Sequence, residues 1–191
     1  MGWAQFKKSA PALARKAEQL FDKTGVVLLG TVRKDGSPRI SPVEPLIVQG
    51  ELYLGMMWKS LKAADLLRDP HCTVHSAIRD RMAKDGEFKL HGRVRYIQDP
   101  GVRKRYGLAL YKKIGWNPEG MKYHLFAVDV SSAGFFVNKS NYRVMKRWRA
   151  GGRRNRLRRR WNELSQTGSS IQLHRDTFVS FVVSFSLCAR N

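Results

Sequence analysis

A chain of 191 residues can bury one sizeable core, and its thirty-six Lys and Arg against fifteen Asp and Glu give a formal charge of +21. That excess points to anionic partners (nucleic acid, phosphorylated cofactors or acidic membrane surface) and carries no information about the fold. Two distant cysteines, Cys72 and Cys188, without a C-x-x-C pattern argue against a disulfide framework, and no stretch reaches the ~20 apolar residues of a spanning helix, so a cytoplasmic, reducing setting is expected.

Residues 1–8 read as a short arm containing Trp3, Lys7 and Lys8. Ser9 is placed to cap a helix with Pro11 in its first turn, and Leu13, Ala17, Leu20 and Phe21 recur at helical spacing until Thr24-Gly25 ends it. Its opposite face shows Arg15, Lys16 and Lys23. Val26 to Val32 is a short β-branched run that predicts a buried strand. Lys34-Asp35-Gly36-Ser37 then predicts a hairpin turn, because glycine tolerates the positive φ that such a turn needs. The return strand carries Arg39, Ser41 and Val43 on one face and Ile40 on the other. A second hairpin turns at Gln49-Gly50, with Leu52, Leu54 and Met56 alternating along the outgoing strand. A short helix begins near Ser60 and stops before Pro70.

Cys72-Thr73-Val74-His75-Ser76 reads as the next strand. Alternation places His71 and His75 on one face and Cys72 on the other, so the three do not converge on a metal. After a charged turn from Arg79 to Gly86, Phe88 to Ile97 forms a long strand whose Gly92 signals a bulge or a close backbone approach. Asp99-Pro100 starts a helix with Val102, Tyr106, Ala109, Leu110 and Ile114 as its buried stripe, and Lys112-Lys113 suit its last turn. Trp116 to Gly120 is a loop. Strands follow at His124–Val130, Phe135–Val137 and Tyr142–Trp148. Tyr111, Trp116 and Trp148 are candidates for lining a pocket.

One detail stands out. Lys59 and Lys62 flank Ser60 at the positive end of a helix dipole, where each cation is unfavourable by roughly 0.3–1 kcal/mol. Two solvated lysines on a very basic protein would explain them. An anion on the free N–H groups would reverse the sign, and Arg39 could add a bidentate contact.

Taken in order, Asp35-Gly36-Ser37-Pro38-Arg39-Ile40-Ser41-Pro42, Ser60-Leu61-Lys62 and Asp69-Pro70 resemble the pyridoxamine 5'-phosphate oxidase-like split barrels. Lys89 to Val94, His124 to Val130 and Arg147-Trp148-Arg149 extend the resemblance over roughly residues 10 to 150. It implies an α+β, mainly β fold: an antiparallel split β-barrel with peripheral helices, spanning residues 1–150. It further implies a homodimer with FMN, or in one large branch the deazaflavin F420, at its interface. By that resemblance Arg39, Ser41, Lys59, Ser60 and Lys62 fall where the cofactor phosphate is held, and Trp58 and Trp148 join them as cofactor-binding candidates.

The function so implied is an FMN-binding oxidoreductase acting on a small molecule, with an F420-dependent reductase as alternative. The ring carries the hydride chemistry, so no side chain is assigned a catalytic role. A vitamin B6 phosphate oxidase would also need an Arg-x-His-type signature, whereas this chain ends in Cys188-Ala189-Arg190-Asn191. A basic nucleic-acid-binding protein remains a further alternative, and a haem-binding barrel leaning on the histidines is weaker. Residues 151–191 change character: Arg153, Arg154, Arg156 and Arg158 to Arg160 crowd together, and an apolar run follows from Phe178 to Cys188. They read as a basic extension able to meet polyanions, or as sequence not shaped by this fold.

Overall fold

Glycine punctuation and strand alternation set the first half of the chain. The computed structural model describes residues 1–81, 83–139 and 142–151, so the readings placed from residue 152 onward lie outside the described residues. Two helices, α1 (Trp3–Ser9) and α2 (Pro11–Thr24), precede β1 (Val27–Val32), β2 (Pro38–Val43), β3 (Pro45–Val48) and β4 (Glu51–Met57). Then come α3 (Leu61–Arg68), β5 (His71–Ser76), β6 (Glu87–Tyr96), α4 (Pro100–Ile114), β7 (Tyr123–Lys139) and β8 (Tyr142–Arg149). All strand pairs are antiparallel. The order is β2-β1-β5-β6-β7-β4-β3, with β8 on the C-terminal half of β7, and β2 returns against β4. This is the expected antiparallel split barrel with helices outside it.

The two hairpins form where predicted. Asp35 accepts from the Ser37 N–H at 2.9 Å and Gly36 sits at φ 83°, while Gln49 and Gly50 both take positive φ, 48° and 78°. Gly25 ends α2 in the left-handed conformation at φ 70°. The register between β6 and β7 slips at His91/Gly92, and a Cβ on Gly92 would collide with the Asp129 carbonyl. The predicted bulge and the predicted close approach therefore coincide.

Four expectations need correction. Residues 1–8 are not an arm: they contain α1, whose Trp3 and Phe6 are 1% and 0% exposed. Phe6 meets Trp148 edge-on at 4.9 Å and Phe88 at 6.5 Å, and Trp3 tilts against Phe21 at 6.2 Å. Burial of two large rings outweighs the polar look of Lys7 and Lys8, which stay outside. Consequently Ser9 does not cap α2: its hydroxyl donates to the Phe6 carbonyl at 3.1 Å and closes α1. The strands predicted at His124–Val130 and Phe135–Val137 are one, β7. Ser132 and Gly134, in the gap between the two predicted strands, are both paired with β6 on one side and β8 on the other. Finally, Ile114 is 48% exposed, because α4 packs mainly through Tyr106 and Leu110 onto Leu46, Tyr53, Leu125 and Ala127.

The main core gathers α1, α2 and the barrel interior, and α4 covers a second, smaller cluster on the other sheet face. Cys72 lies in the main core, where burial pushes its thiol up to about 12. Alkylation of the native protein near pH 8 should leave Cys72 unmodified, and denaturant should expose it. Peptide mapping that finds Cys72 modified without denaturant would show that this part of the barrel opens readily. Among the described residues no helix is long and apolar enough to cross a membrane.

Candidate functional site

The inward face of β2 and the first turns of α3 meet along one seam. Arg39, the second residue of β2, donates Nε–H to Asp65 Oδ2 at 2.6 Å, and its side chain is 20% exposed. Thr31 on β1, itself opposite Arg39 in the ladder, donates to the same carboxylate oxygen at 2.9 Å. Arg68 lies 3.5 Å from Oδ1. Asp65 is 3% exposed, and burial alone would raise its pKa. The hydrogen bonds from Arg39 and Thr31 outweigh that and hold the carboxyl below its ordinary value.

One turn earlier on α3, the Lys62 ammonium donates to the Pro42 carbonyl at 2.9 Å. Burial pulls its pKa below the usual lysine value, and Lys62 forms no ion pair among the described residues. Ser60 precedes the helix in extended conformation, as an N-cap should, but its hydroxyl caps nothing. Its Oγ is buried without a hydrogen-bond partner, the one such side-chain atom among the described residues. The N–H groups of Leu61 and Lys62 have no intrahelical acceptor, since the first N–H groups of any helix lack one. No acid stands in the first turn of α3. Lys59, just outside, is exposed and sits at φ 60°. A lysine gains nothing locally from that left-handed conformation, so the surrounding turn imposes it.

Trp58, beside Lys59, is 46% exposed and stacks on His124 at 4.6 Å with 13° between the planes. His124 is 6% exposed; burial and the Arg103 charge lower its pKa, so the ring is neutral near pH 7. Tyr96 lies behind it, with its hydroxyl 3.3 Å from Nδ1.

The structure thus joins β2 to α3 through Arg39 and Lys62, with Ser60 at the start of α3, Ser41 two residues along β2 from Arg39, and Trp58 and Lys59 just before the helix. Trp148 is placed differently: it packs against Phe6 at the edge of the main core. Tyr111 and Trp116 are 59% and 47% exposed. Sequence reasoning missed Asp65, Thr31 and the His124 stack. A signal for Asp65 existed, a lone acid on the Ala63–Leu66 stripe of a short basic helix. A cleft of about 330 Å3 opens elsewhere, lined by Glu18, Asp22, Leu46 and Lys113 among others, and contains none of these residues.

Comparisons with known proteins bear on the family and the fold. A family model described as pyridoxamine 5'-phosphate oxidase matches residues 13–133, more than half of the chain. No curated protein matches. Among solved structures, the chain is similar to a Clostridium acetobutylicum protein related to general stress protein 26, of the pyridoxinephosphate oxidase family. The identity is 15% and the TM-score 0.52, with 69% of this chain and 91% of that chain covered. General stress protein 26 of Bacillus anthracis is similar at 18% identity and TM-score 0.52, with 71% and 96% covered. A haem-binding protein of Mycobacterium smegmatis is similar at 14% identity and TM-score 0.57, with 72% and 57% covered.

Proposed function

The chain belongs to the pyridoxamine 5'-phosphate oxidase family, and on that basis we propose that it is a flavin-dependent oxidoreductase holding FMN by its phosphate at the start of α3. The family often binds flavins. The observation that carries the reading is Ser60 Oγ, a buried hydroxyl with no partner, set at a helix N-terminus between two basic side chains.

The residues present fit a phosphate. Ser60 would donate its hydroxyl, and the free N–H groups of Leu61 and Lys62 point the same way along the helix axis. Lys62 would supply the positive charge to the phosphate, and the phosphate would offset the burial that lowers its pKa. Arg39 reaches the seam with Nε held by Asp65, which leaves its terminal N–H groups for a second contact. Lys59 adds long-range attraction, and the Trp58 face offers a flat surface for an aromatic ring. When bound, the flavin supplies the hydride chemistry. The protein positions it and excludes water.

Exclusion of water needs a lid, and the site's neighbours are apolar and exposed: Ile40 at 72%, Leu61 at 65% and Met57 at 81%. A second copy of the chain covering them gives the homodimer of this proposal, with a small-molecule substrate entering at the interface. F420 is the alternative ligand, and identification of the chromophore released from purified protein separates FMN, F420 and haem.

Titration with FMN and with riboflavin, which lacks the phosphate, tests the site. Lys62→Ala should weaken FMN by about 1.5–3 kcal/mol, the range for a hydrogen bond to a charged group. Riboflavin affinity should barely change. Equal FMN and F420 affinity in wild type and Lys62→Ala would remove the phosphate site.

A further inference from the structure

A helix laid on the outside of a sheet needs one apolar stripe, the one it buries. α4 carries two. Its inner stripe sets Tyr106 and Leu110 on Leu46, Tyr53 and Leu125. On the other side Leu108 and Tyr111 are 57% and 59% exposed, and Ile114 at the helix end is 48% exposed. These three follow one another at three-residue steps and so form one strip. Cations surround it. On a helix the neighbours of Leu108 are Lys104 and Arg105 one turn before, and Tyr111 and Lys112 one turn after. All three cations are exposed, and α4 itself contains no acid. The nearest acids along the chain are engaged: Asp99 accepts from the Val102 N–H at 2.7 Å, and Glu119 from the Asn117 side chain at 3.1 Å. Asp22, across from the helix end, is taken by Lys113 at 3.3 Å.

We propose that the outer face of α4 docks on an anionic lipid bilayer, with the helix lying flat in the headgroup layer. Charge complementarity narrows the partner to an acidic one, and the apolar strip selects among acidic partners. A nucleic acid would meet the cations and leave Leu108 without a role, because an aliphatic side chain gains nothing against phosphates. A bilayer uses both kinds of group at once. Leu108 and Ile114 enter the acyl boundary, while the Tyr111 ring sits at headgroup level with its hydroxyl in water. Lys104 and Lys112, one turn either side of Leu108, lay their methylene stems beside it and raise their ammonium groups to the lipid phosphates. An acidic leaflet favours each cation held at its surface by about fivefold. The relief also suits a plane: α4 packs outside the sheet, and its free side is a convex ridge rather than a groove. None of these residues belongs to the β2–α3 seam, and the inference stands without the flavin reading.

Co-sedimentation of the full-length protein with phosphatidylcholine vesicles, with and without phosphatidylserine, is the test. The protein should pellet with the acidic vesicles and stay in solution with the neutral ones. Leu108→Gln/Tyr111→Gln keeps every charge and places good helix formers at two exposed positions, so the fold accepts it. It should lower the partition coefficient at least tenfold. Lys104→Gln/Lys112→Gln should lower it by about fivefold for each cation. The C-terminal arginine run could attract acidic vesicles by charge alone, so both pairs are also made in an Arg158→Ser/Arg159→Ser/Arg160→Ser background, where the same falls should appear. Binding to acidic vesicles that ignores Leu108→Gln/Tyr111→Gln in either background would overturn the proposal. A drop in native mass of that variant by light scattering would assign the strip to a subunit contact instead. Retention of a labelled oligothymidylate with no attachment to vesicles would assign the cations to nucleic acid, and would equally overturn it.

Discussion

Asp65→Ala should cost the fold about 3–5 kcal/mol, the penalty for removing one partner of a buried ion pair. The carboxylate is 3% exposed and receives Arg39 Nε at 2.6 Å and Thr31 Oγ1 at 2.9 Å. Without it a largely buried guanidinium and a buried hydroxyl lose their common partner at once. Asp65→Asn keeps the volume and an acceptor for Arg39, so it should cost less stability. It should still loosen the arginine, weakening FMN more than riboflavin. A variant that unfolds easily yet discriminates FMN from riboflavin like wild type would make Asp65 a purely structural group.

The same carboxyl gives a pH signature. Its folded pKa lies below the ordinary aspartate value of 3.8, so on acidification the unfolded chain binds the proton first. The stabilisation is complete above roughly pH 5 and disappears as pH falls through the folded value. Urea midpoints measured from about pH 6 down to about pH 3 should therefore drop less steeply in Asp65→Asn than in wild type. Parallel acid limbs would assign the effect to other carboxylates.

Phe6→Ala should be equally severe, about 3–5 kcal/mol for a large buried ring, with Trp3→Ala close to it. For a chain of this size that corresponds to a melting-temperature fall of roughly 6–20 °C. Trp3 carries a further contribution, because its indole N–H donates to Glu18 Oε1 at 3.0 Å and ties α1 to α2. The experiment decides between the two descriptions of residues 1–8. A surface arm would change stability by only about 0.5 kcal/mol or less, whereas a helix that closes the core cannot lose Phe6 so cheaply.

Whatever depends on a few neighbouring residues was legible in the chain itself. Asp35-Gly36 and Gln49-Gly50 fold as turns because the φ they need is a property of those residues alone, and Gly25 stops α2 for the same reason. Gly92 announced the bulge, and Pro70 the end of α3. Even the start of α3 was legible, since Lys59 and Lys62 contradict the helix dipole within a single turn. The alternation of Leu52, Leu54 and Met56 set which face of β4 turns inward, while the split-barrel fold came from the resemblance carried by the ordered motifs. The remainder became visible only in three dimensions, because it rests on partners distant in the chain. Asp65 meets Arg39 across 26 positions and Thr31 across 34, and no local period encodes such a pairing. His124 meets Trp58 only because β4 and β7 are neighbours. Trp148, a cofactor-binding candidate in the sequence, meets Phe6 from the other end of the chain, a contact no local pattern encodes. The continuity of β7 through residues 131–134 was equally hidden, because the ladder bonds that hold Ser132 and Gly134 come from strands on either side, and backbone pairing leaves no trace in side-chain pattern.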